Sequence, residues 1–281
     1  MVGMTHHLAD RVVIITGAAS GFGRLIAQDC AVRGARVVGM DVDADALDEV
    51  MGGIRAAGGQ ALGQTADVAD LAAVRAGAEA AVEAFGGVDV LVNNAGVMPL
   101  AFFADHERAW QRWHRAIDIN IKGVVNGIAA VYDQMIAQGR GHVVNISSIY
   151  GNGGVAGAGV YSATKAAVTA LSDALRVEAQ GRIKVTTVKP TGVLGTNLAS
   201  GVVNETAVMA LAGQNGPQFA ENLGNFLTGS LRPEQTDVDS TQYWLITPED
   251  LAAAVVHVID QPWGITISDV TVRATGENYV R

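Results

Sequence analysis

Cysteine is almost missing from this chain of 281 residues: Cys30 stands alone. A lone thiol excludes an intrachain disulfide and any multi-cysteine metal site. Proline is scarce, at 6 against 34 glycines, and no Pro/Ser-rich linker, charge block or internal repeat divides the chain. Basic residues are few. The 19 Lys and Arg against 28 Asp and Glu give a net charge of −9, which argues against a nucleic-acid or anionic-membrane surface built from clustered cations. Long apolar runs are also lacking: the longest, Gly96–Ala104, is broken by Pro99 and falls short of the roughly 20 residues of a membrane span. Met1–Asp10 has neither the basic start nor the apolar stretch of a secretory leader. The histidines (His6, His7, His106, His114, His142 and His257) are scattered without metal-ligand spacing, so no metal is expected. What is present is 49% hydrophobic residues, ample for one large core. The expectation is an acidic, soluble, cytoplasmic globular protein, with residues 1–281 forming one domain.

Short β-branched runs alternate with longer Ala-rich stretches at helical spacing. Strands are expected at Val12–Thr16, Arg36–Met40, Ala61–Thr65, Val88–Asn93, His142–Ser147, Lys184–Lys189 and Ile265–Val270. Most are apolar throughout, the pattern of strands covered on both faces. Helices are expected at Phe22–Arg33, Ala44–Ala57, Leu71–Phe85, Glu107–Gln138, Ser162–Gln180 and Pro248–Gln261. Such a β-α-β-α series implies an α/β fold with a parallel sheet. Between Lys189 and Thr247, roughly sixty residues contain no strand signal, which is long for a simple connection. A helical lid is expected over about 192–247, with helices near Glu205–Ala212 and Pro217–Thr228. The alternative is that these helices merely pack on the domain.

The segment Gly17-Ala18-Ala19-Ser20-Gly21-Phe22-Gly23 joins the first strand to the first helix. Glycines there let the backbone turn tightly and approach a pyrophosphate, while the helix N-terminus offers free N–H groups and a positive dipole end. Asp41 closes the second strand about 20 residues on, followed by Val42, where a carboxylate can accept the adenosine ribose hydroxyls. Its charge would repel a 2′-phosphate, so NAD is expected over NADP. The plainer alternative makes Asp41 a cap on the next helix.

Tyr161 and Lys165 are four apart on an expected helix and therefore share a face. Asn93-Asn94-Ala95-Gly96 follow the fourth strand, and Ser147-Ser148 end the fifth. With the TGxxxGxG spacing from Thr16 to Gly23, these motifs resemble the short-chain dehydrogenase/reductase family, over about Asp10–Thr271. The resemblance implies a Rossmann-type, doubly wound domain: a seven-stranded parallel sheet in the order 3-2-1-4-5-6-7, with a helical substrate lid after strand 6. It implies that Gly17, Ser20, Gly21, Phe22 and Gly23 hold the cofactor. Asp67 and Val68 would contact adenine, and Asn94, Ala95 and Gly96 would line the adenosine ribose. Pro190, Val193 and Thr196 would reach the nicotinamide, although the Gly that usually follows the Pro is displaced here to Gly192.

Tyr161 would serve as general base or acid, with Lys165 lowering its pKa and holding the nicotinamide ribose. Ser148, thirteen residues before Tyr161, would polarise the substrate oxygen, with Ser147 as its competitor. Asn120 would anchor a water beside Lys165. Assembly as a homotetramer or homodimer through the helices Glu107–Gln138 and Ser162–Gln180 also follows from the resemblance.

The activity so implied is NAD-dependent interconversion of a secondary alcohol and a ketone. Met98, Leu100, Phe102, Phe103, Tyr150 and Asn152 follow strand ends and are mostly apolar, suggesting a hydrophobic or alicyclic substrate. One alternative is an NADP-dependent ketone reductase; Asp41 and the absence of a basic residue at Ala18, Ala19, Val42 or Asp43 weigh against it. Another is a non-catalytic dinucleotide-sensing regulator, against which stands the retention of Asn120, Ser148, Tyr161 and Lys165.

Overall fold

The computed structural model describes residues 7–279, so the expectations for Met1–His6 lie outside the described residues. The chain alternates strands and helices: β1 (Val12–Thr16), α1 (Gly21–Val32), β2 (Arg36–Asp41), α2 (Ala44–Ala56), β3 (Gln60–Thr65), α3 (Leu71–Phe85) and β4 (Val90–Asn93). Then follow α4 (His106–Ile117), α5 (Gly123–Gln138), β5 (Gly141–Ile146), α6 (Gly159–Glu178) and β6 (Ile183–Pro190). After β6 come α7 (Thr206–Ala210), α8 (Gly216–Leu227), α9 (Pro233–Thr236), α10 (Pro248–Ile259) and β7 (Asp269–Val272). All neighbouring strands pair parallel, in the order 3-2-1-4-5-6-7.

Strand alternation sends successive side chains to opposite faces. Val13 and Ile15 pack with Ile26 and Cys30 of α1, Leu47 and Met51 of α2, and Val255 of α10. Val12 and Ile14 pack with Val74 of α3, Val131 and Met135 of α5, and Leu175 of α6. Both faces are thus covered, as the unbroken apolar strands require. The order reverses between β1 and β4, which opens a crevice at their C-terminal ends.

Most boundaries shift by a residue or two, and the larger departures have local reasons. The first strand residues expected before β4 leave the ladder because both backbone groups of Val88 are taken by the Gln138 side chain, at 3.0 and 2.9 Å. The helix expected over Glu107–Gln138 is interrupted by a π-helical turn at Asp118–Lys122, whose extra residue sets Asn120 into the interior. Helix α6 begins before Ser162, so Tyr161 is already helical. β7 starts late because residues 262–265 form a turn that lays Trp263 against Arg11, 4.2 Å from the ring centre, with Arg140 and Lys184 nearby.

The segment between β6 and α10 carries helices close to the expected spans, plus α9. A parallel bridge between Val193 and Ile246 closes its base. Its inner face is buried through Leu211, Phe219 and Trp244, whereas Leu227 is exposed. Among the described residues no helix is long and apolar enough to cross a membrane.

Candidate active site

The loop after β1 is held from two sides. Gly17 and Ala18 donate their N–H groups to the Met40 carbonyl, at 2.8 and 3.2 Å. From β4, Asn94 Nδ2 donates to the Thr16 carbonyl at 2.8 Å and to the Gly17 carbonyl at 3.2 Å. Thr16 Oγ1 accepts the N–H groups of Asn94 and Ala95, both at 3.1 Å. Gly23 sits beneath this turn; a β-carbon there would collide with the Gly17 carbonyl and lie 2.6 Å from Asn94 Nδ2. Ser20 is the N-cap of α1, yet its side chain caps no N–H group. The first N–H groups of α1 therefore remain available to an anion.

Asp41 ends β2. Its carboxylate accepts the Ala19 N–H at 3.0 Å and the Asp43 N–H at 3.1 Å. The cap on α2 is Asp43, which accepts the Ala46 N–H at 3.1 Å, so Asp41 is not spent on that task. Asp67 accepts the Ala69 N–H at 2.9 Å and the Arg115 guanidinium at 2.8 Å. Although burial raises the Asp67 pKa, these two donors win and hold the carboxyl below the usual range.

Most expected cofactor residues converge on one groove of about 290 Å³. Gly17, Ser20, Gly21 and Phe22 reach it from the loop, Asp41 and Val42 from β2, Asp67 and Val68 from beyond β3. Asn94, Ala95 and Gly96 line it beyond β4, Tyr161 and Lys165 from α6, Pro190 and Thr196 from β6 onward. Gly23 lies behind the loop, and Val193 lines a second, adjoining cavity instead.

That cavity measures about 140 Å³ and meets the groove at Phe22, Tyr161, Pro190, Thr196 and Leu198. Ser148, Tyr150 and Met98 line it, together with the inner face of the segment after β6. Leu100, Phe102, Phe103 and Asn152 do not, contrary to expectation. Leu100 is buried beneath, and the Phe102 N–H is tied to Asp105 at the start of α4, where Phe103 is 72% exposed and packs edge-on against Trp113.

The two serines at the end of β5 diverge. Ser147 Oγ donates to the Lys165 carbonyl at 2.8 Å and is locked to α6. Ser148 turns into the cavity, where Tyr161 also lies, and accepts the Tyr150 N–H at 3.2 Å. Lys165 Nζ donates to the Ile146 carbonyl at 2.8 Å and lies 5.9 Å from the centre of the Tyr161 ring. The expectation that Lys165 lowers the Tyr161 pKa is not met. Burial dominates and pushes the phenol up to about 12, opposed by the Ser148 hydroxyl. Burial likewise lowers Lys165 to about 8, so the ammonium remains charged at neutral pH.

Asn120 lines neither space. Its Oδ1 accepts the Val97 N–H, and its Nδ2 donates to the Val97 carbonyl, each at 2.9 Å, and to Thr164 Oγ1 at 3.0 Å. It remains close to the lysine: a β-carbon on Gly96 would sit 3.4 Å from Asn120 Oδ1 and 3.5 Å from Lys165 Nζ. Sequence reasoning missed Thr16, although it begins the glycine motif. It also missed Arg115 and Tyr279, for which no local pattern exists. No cluster of three potential metal ligands occurs among the described residues.

The family model for short chain dehydrogenases matches residues 11–207. An uncharacterized oxidoreductase of Listeria innocua is 33% identical over 275 residues, which is 97% of this chain and 99% of that protein. A 2,5-dichloro-2,5-cyclohexadiene-1,4-diol dehydrogenase of Sphingobium indicum is 39% identical over 68% of this chain and 76% of its own length. Among solved structures, a short chain dehydrogenase/reductase from Burkholderia phymatum in complex with NAD superposes with a TM-score of 0.74. It is 28% identical, over 95% of this chain and 90% of that one. A metagenomic short-chain oxidoreductase in complex with NADP gives 0.71, also at 28% identity, over 98% and 100%. With its sheet order, its glycine loop and its Ser148–Tyr161–Lys165 grouping, this chain belongs to the short-chain dehydrogenase/reductase family of oxidoreductases.

Proposed function

We propose that this oxidoreductase interconverts a secondary alcohol and a ketone by hydride transfer to or from NAD. The observation that carries the reading is the meeting of Ser148 and Tyr161 in the cavity, with Lys165 beside Tyr161 in the adjoining groove. The groove suits a dinucleotide because the α1 N-terminus has uncapped N–H groups and Gly23 lets α1 pack tightly beneath the Gly17 turn. When bound, NAD would accept the hydride in oxidation and, once reduced, donate it to the ketone.

The chain's own residues supply position and proton transfer. Gly17, Ser20, Gly21 and Phe22 hold the pyrophosphate end, and Asp41 and Val42 the adenosine ribose. Asp67 and Val68, with Arg115 beside them, border the adenine. Asn94, Ala95 and Gly96 form the wall between β1 and β4, while Pro190, Val193 and Thr196 flank the nicotinamide. Lys165, charged at neutral pH, holds the nicotinamide ribose. The Tyr161 phenol donates its proton to the carbonyl oxygen in reduction, and the phenolate so formed is the base that takes the alcohol proton in oxidation. Ser148 holds that same oxygen and stabilises the charge developing on it. Asn120 positions Val97 and α6, and a water beside it completes the path to Lys165.

NAD is favoured over NADP by the Asp41 carboxylate at the ribose end. The NAD complex of the Burkholderia relative and the ring-diol activity named for the Sphingobium relative support the reading. The segment 192–247 acts as a substrate lid within one domain, and the protein works in the cytoplasm as a homotetramer or homodimer. The test is a panel of secondary alcohols with NAD and NADP, followed by the absorbance of the reduced cofactor. Turnover with NAD is expected. Dinucleotide binding without turnover of any alcohol or ketone would favour a sensing role instead.

A further inference from the structure

The segment after β7 returns to the end of β6 and is pinned at each step. The Gly276 N–H donates to the Tyr243 carbonyl at 2.9 Å. Glu277 accepts Thr191 Oγ1 on one oxygen and Arg273 Nε, at 2.8 Å, on the other. Asn278 Oδ1 accepts Trp244 Nε1 at 2.7 Å and Asn222 Nδ2 at 3.0 Å, while its carbonyl accepts Asn215 Nδ2 at 3.0 Å. Three separate parts of the 192–247 segment therefore grip one asparagine. A stretch held by this many hydrogen bonds presents its next side chain in a defined place.

That side chain is Tyr279. Its ring lies 5.3 Å from Phe219 and 6.2 Å from Tyr150, centre to centre. Its hydroxyl end lies over Gly192, where a β-carbon would collide with Cε2, Cζ and the oxygen. The displaced glycine after Pro190 thus has a reason: it makes room for this phenol. Tyr279 lines the 140 Å³ cavity together with Ser148 and Tyr161. Tyr150, its neighbour, spends its hydroxyl on the Leu211 carbonyl at 3.1 Å. The Tyr279 hydroxyl has no hydrogen-bond partner among the described residues. A phenol tip in an apolar wall ordinarily finds a partner, and a substrate that displaces cavity water must replace the bond it removes.

Building on the alcohol–ketone reading, we propose that Tyr279 is a specificity-determining residue whose hydroxyl holds a second oxygen of a compact, apolar, cyclic or branched secondary alcohol. The substrate class is then a diol or hydroxyketone of modest size. The small cavity limits bulk, since pockets for drug-sized ligands run to roughly 300 Å³ and more. A mono-alcohol leaves the phenol unmatched and loses roughly tenfold or more in kcat/KM.

The experiment compares cyclohexanol with the cyclohexanediol isomers in wild type and Tyr279→Phe, which keeps the ring and its packing. The expected result is a wild-type preference of roughly tenfold for the best diol, collapsing towards parity in the variant. The same diol-to-mono-ol ratio in both proteins would overturn the proposal. Should neither protein oxidise any alcohol with either dinucleotide, the dehydrogenase reading fails separately. The tyrosine is then judged by thermal shift with the diols: stabilisation of wild type but not of Tyr279→Phe supports its role, and equal shifts, or none in either, overturn it.

Discussion

Asn120 and Val97 are bound to each other twice, the Asn120 amide accepting the Val97 N–H and donating to the Val97 carbonyl, each at 2.9 Å. Asn120 is buried in the π-helical turn, so neither bond is readily replaced by water. Asn120→Ala leaves both Val97 groups and Thr164 Oγ1 without this partner. A stability loss of about 1–3 kcal/mol is expected, read as a lower urea midpoint at unchanged slope. A loss below about 0.5 kcal/mol, the level of an ordinary surface change, would contradict the anchoring role.

Tyr161→Phe removes the hydroxyl and keeps the packed ring. Turnover should fall by about 10²–10⁴-fold while NAD affinity stays within a few-fold. Retention of a large share of kcat would show that another group moves the proton. Ser148→Ala should likewise strike kcat. Ser147→Ala should instead reduce stability, because its Oγ is committed to the Lys165 carbonyl.

Asp41→Ser tests cofactor choice. A 2′-phosphate near this carboxylate meets like charge in a partly enclosed groove, so wild type should prefer NAD by roughly 10²-fold, or about 2.7 kcal/mol. The serine narrows that ratio by weakening NAD and relieving NADP. The gain for NADP should be the smaller effect, since Ala19 and Asp43 lose their acceptor as well and the loop loosens. Values of kcat/KM for both cofactors with one common alcohol decide it; an unchanged ratio removes Asp41 as the selector.

Lys165 imposes a pH dependence with a definite sign. Its pKa falls from 10.5 in the unfolded chain to about 8 in the fold, through burial. Between those values the unfolded chain holds the proton and the native one does not, so this group's contribution rises with pH there. Its stabilisation is present above about 10.5 and is lost as pH falls through about 8. Lys165→Met lacks that change. The unfolding free energy of wild type minus that of the variant should therefore increase from pH 8 towards 10.5, and a flat difference would contradict the burial of a titrating ammonium.

Much of this molecule is legible locally. Unbroken runs such as Val12–Thr16 and Val90–Asn93 announce a sheet covered on both faces, and the motif from Thr16 to Gly23 announces the groove because its geometry depends on neighbouring residues. The rest depends on partners distant in sequence. Gln138 trims β4 by capturing Val88, fifty residues away, and the π turn at Asn120 answers to Val97 and Thr164. Arg115 reaches Asp67 across 48 residues. The fit of Tyr279 onto Gly192 has no periodicity to betray it. The direction of the Tyr161 shift also escaped, because a lysine four residues away is visible in the sequence whereas the depth of burial is not.

Cys30 sits on the core-facing side of α1, wholly buried, with its thiol pushed up to about 12 by that burial. Thiolate is the species that alkylating and disulfide reagents attack, so the native chain presents almost nothing for them to react with. Reaction requires α1 to leave the sheet, which also takes the glycine loop apart. The labelling rate of this single thiol is thus a built-in clock for opening of the nucleotide half of the molecule, needing no engineered probe. A dinucleotide seated in the groove should slow that clock in proportion to its occupancy.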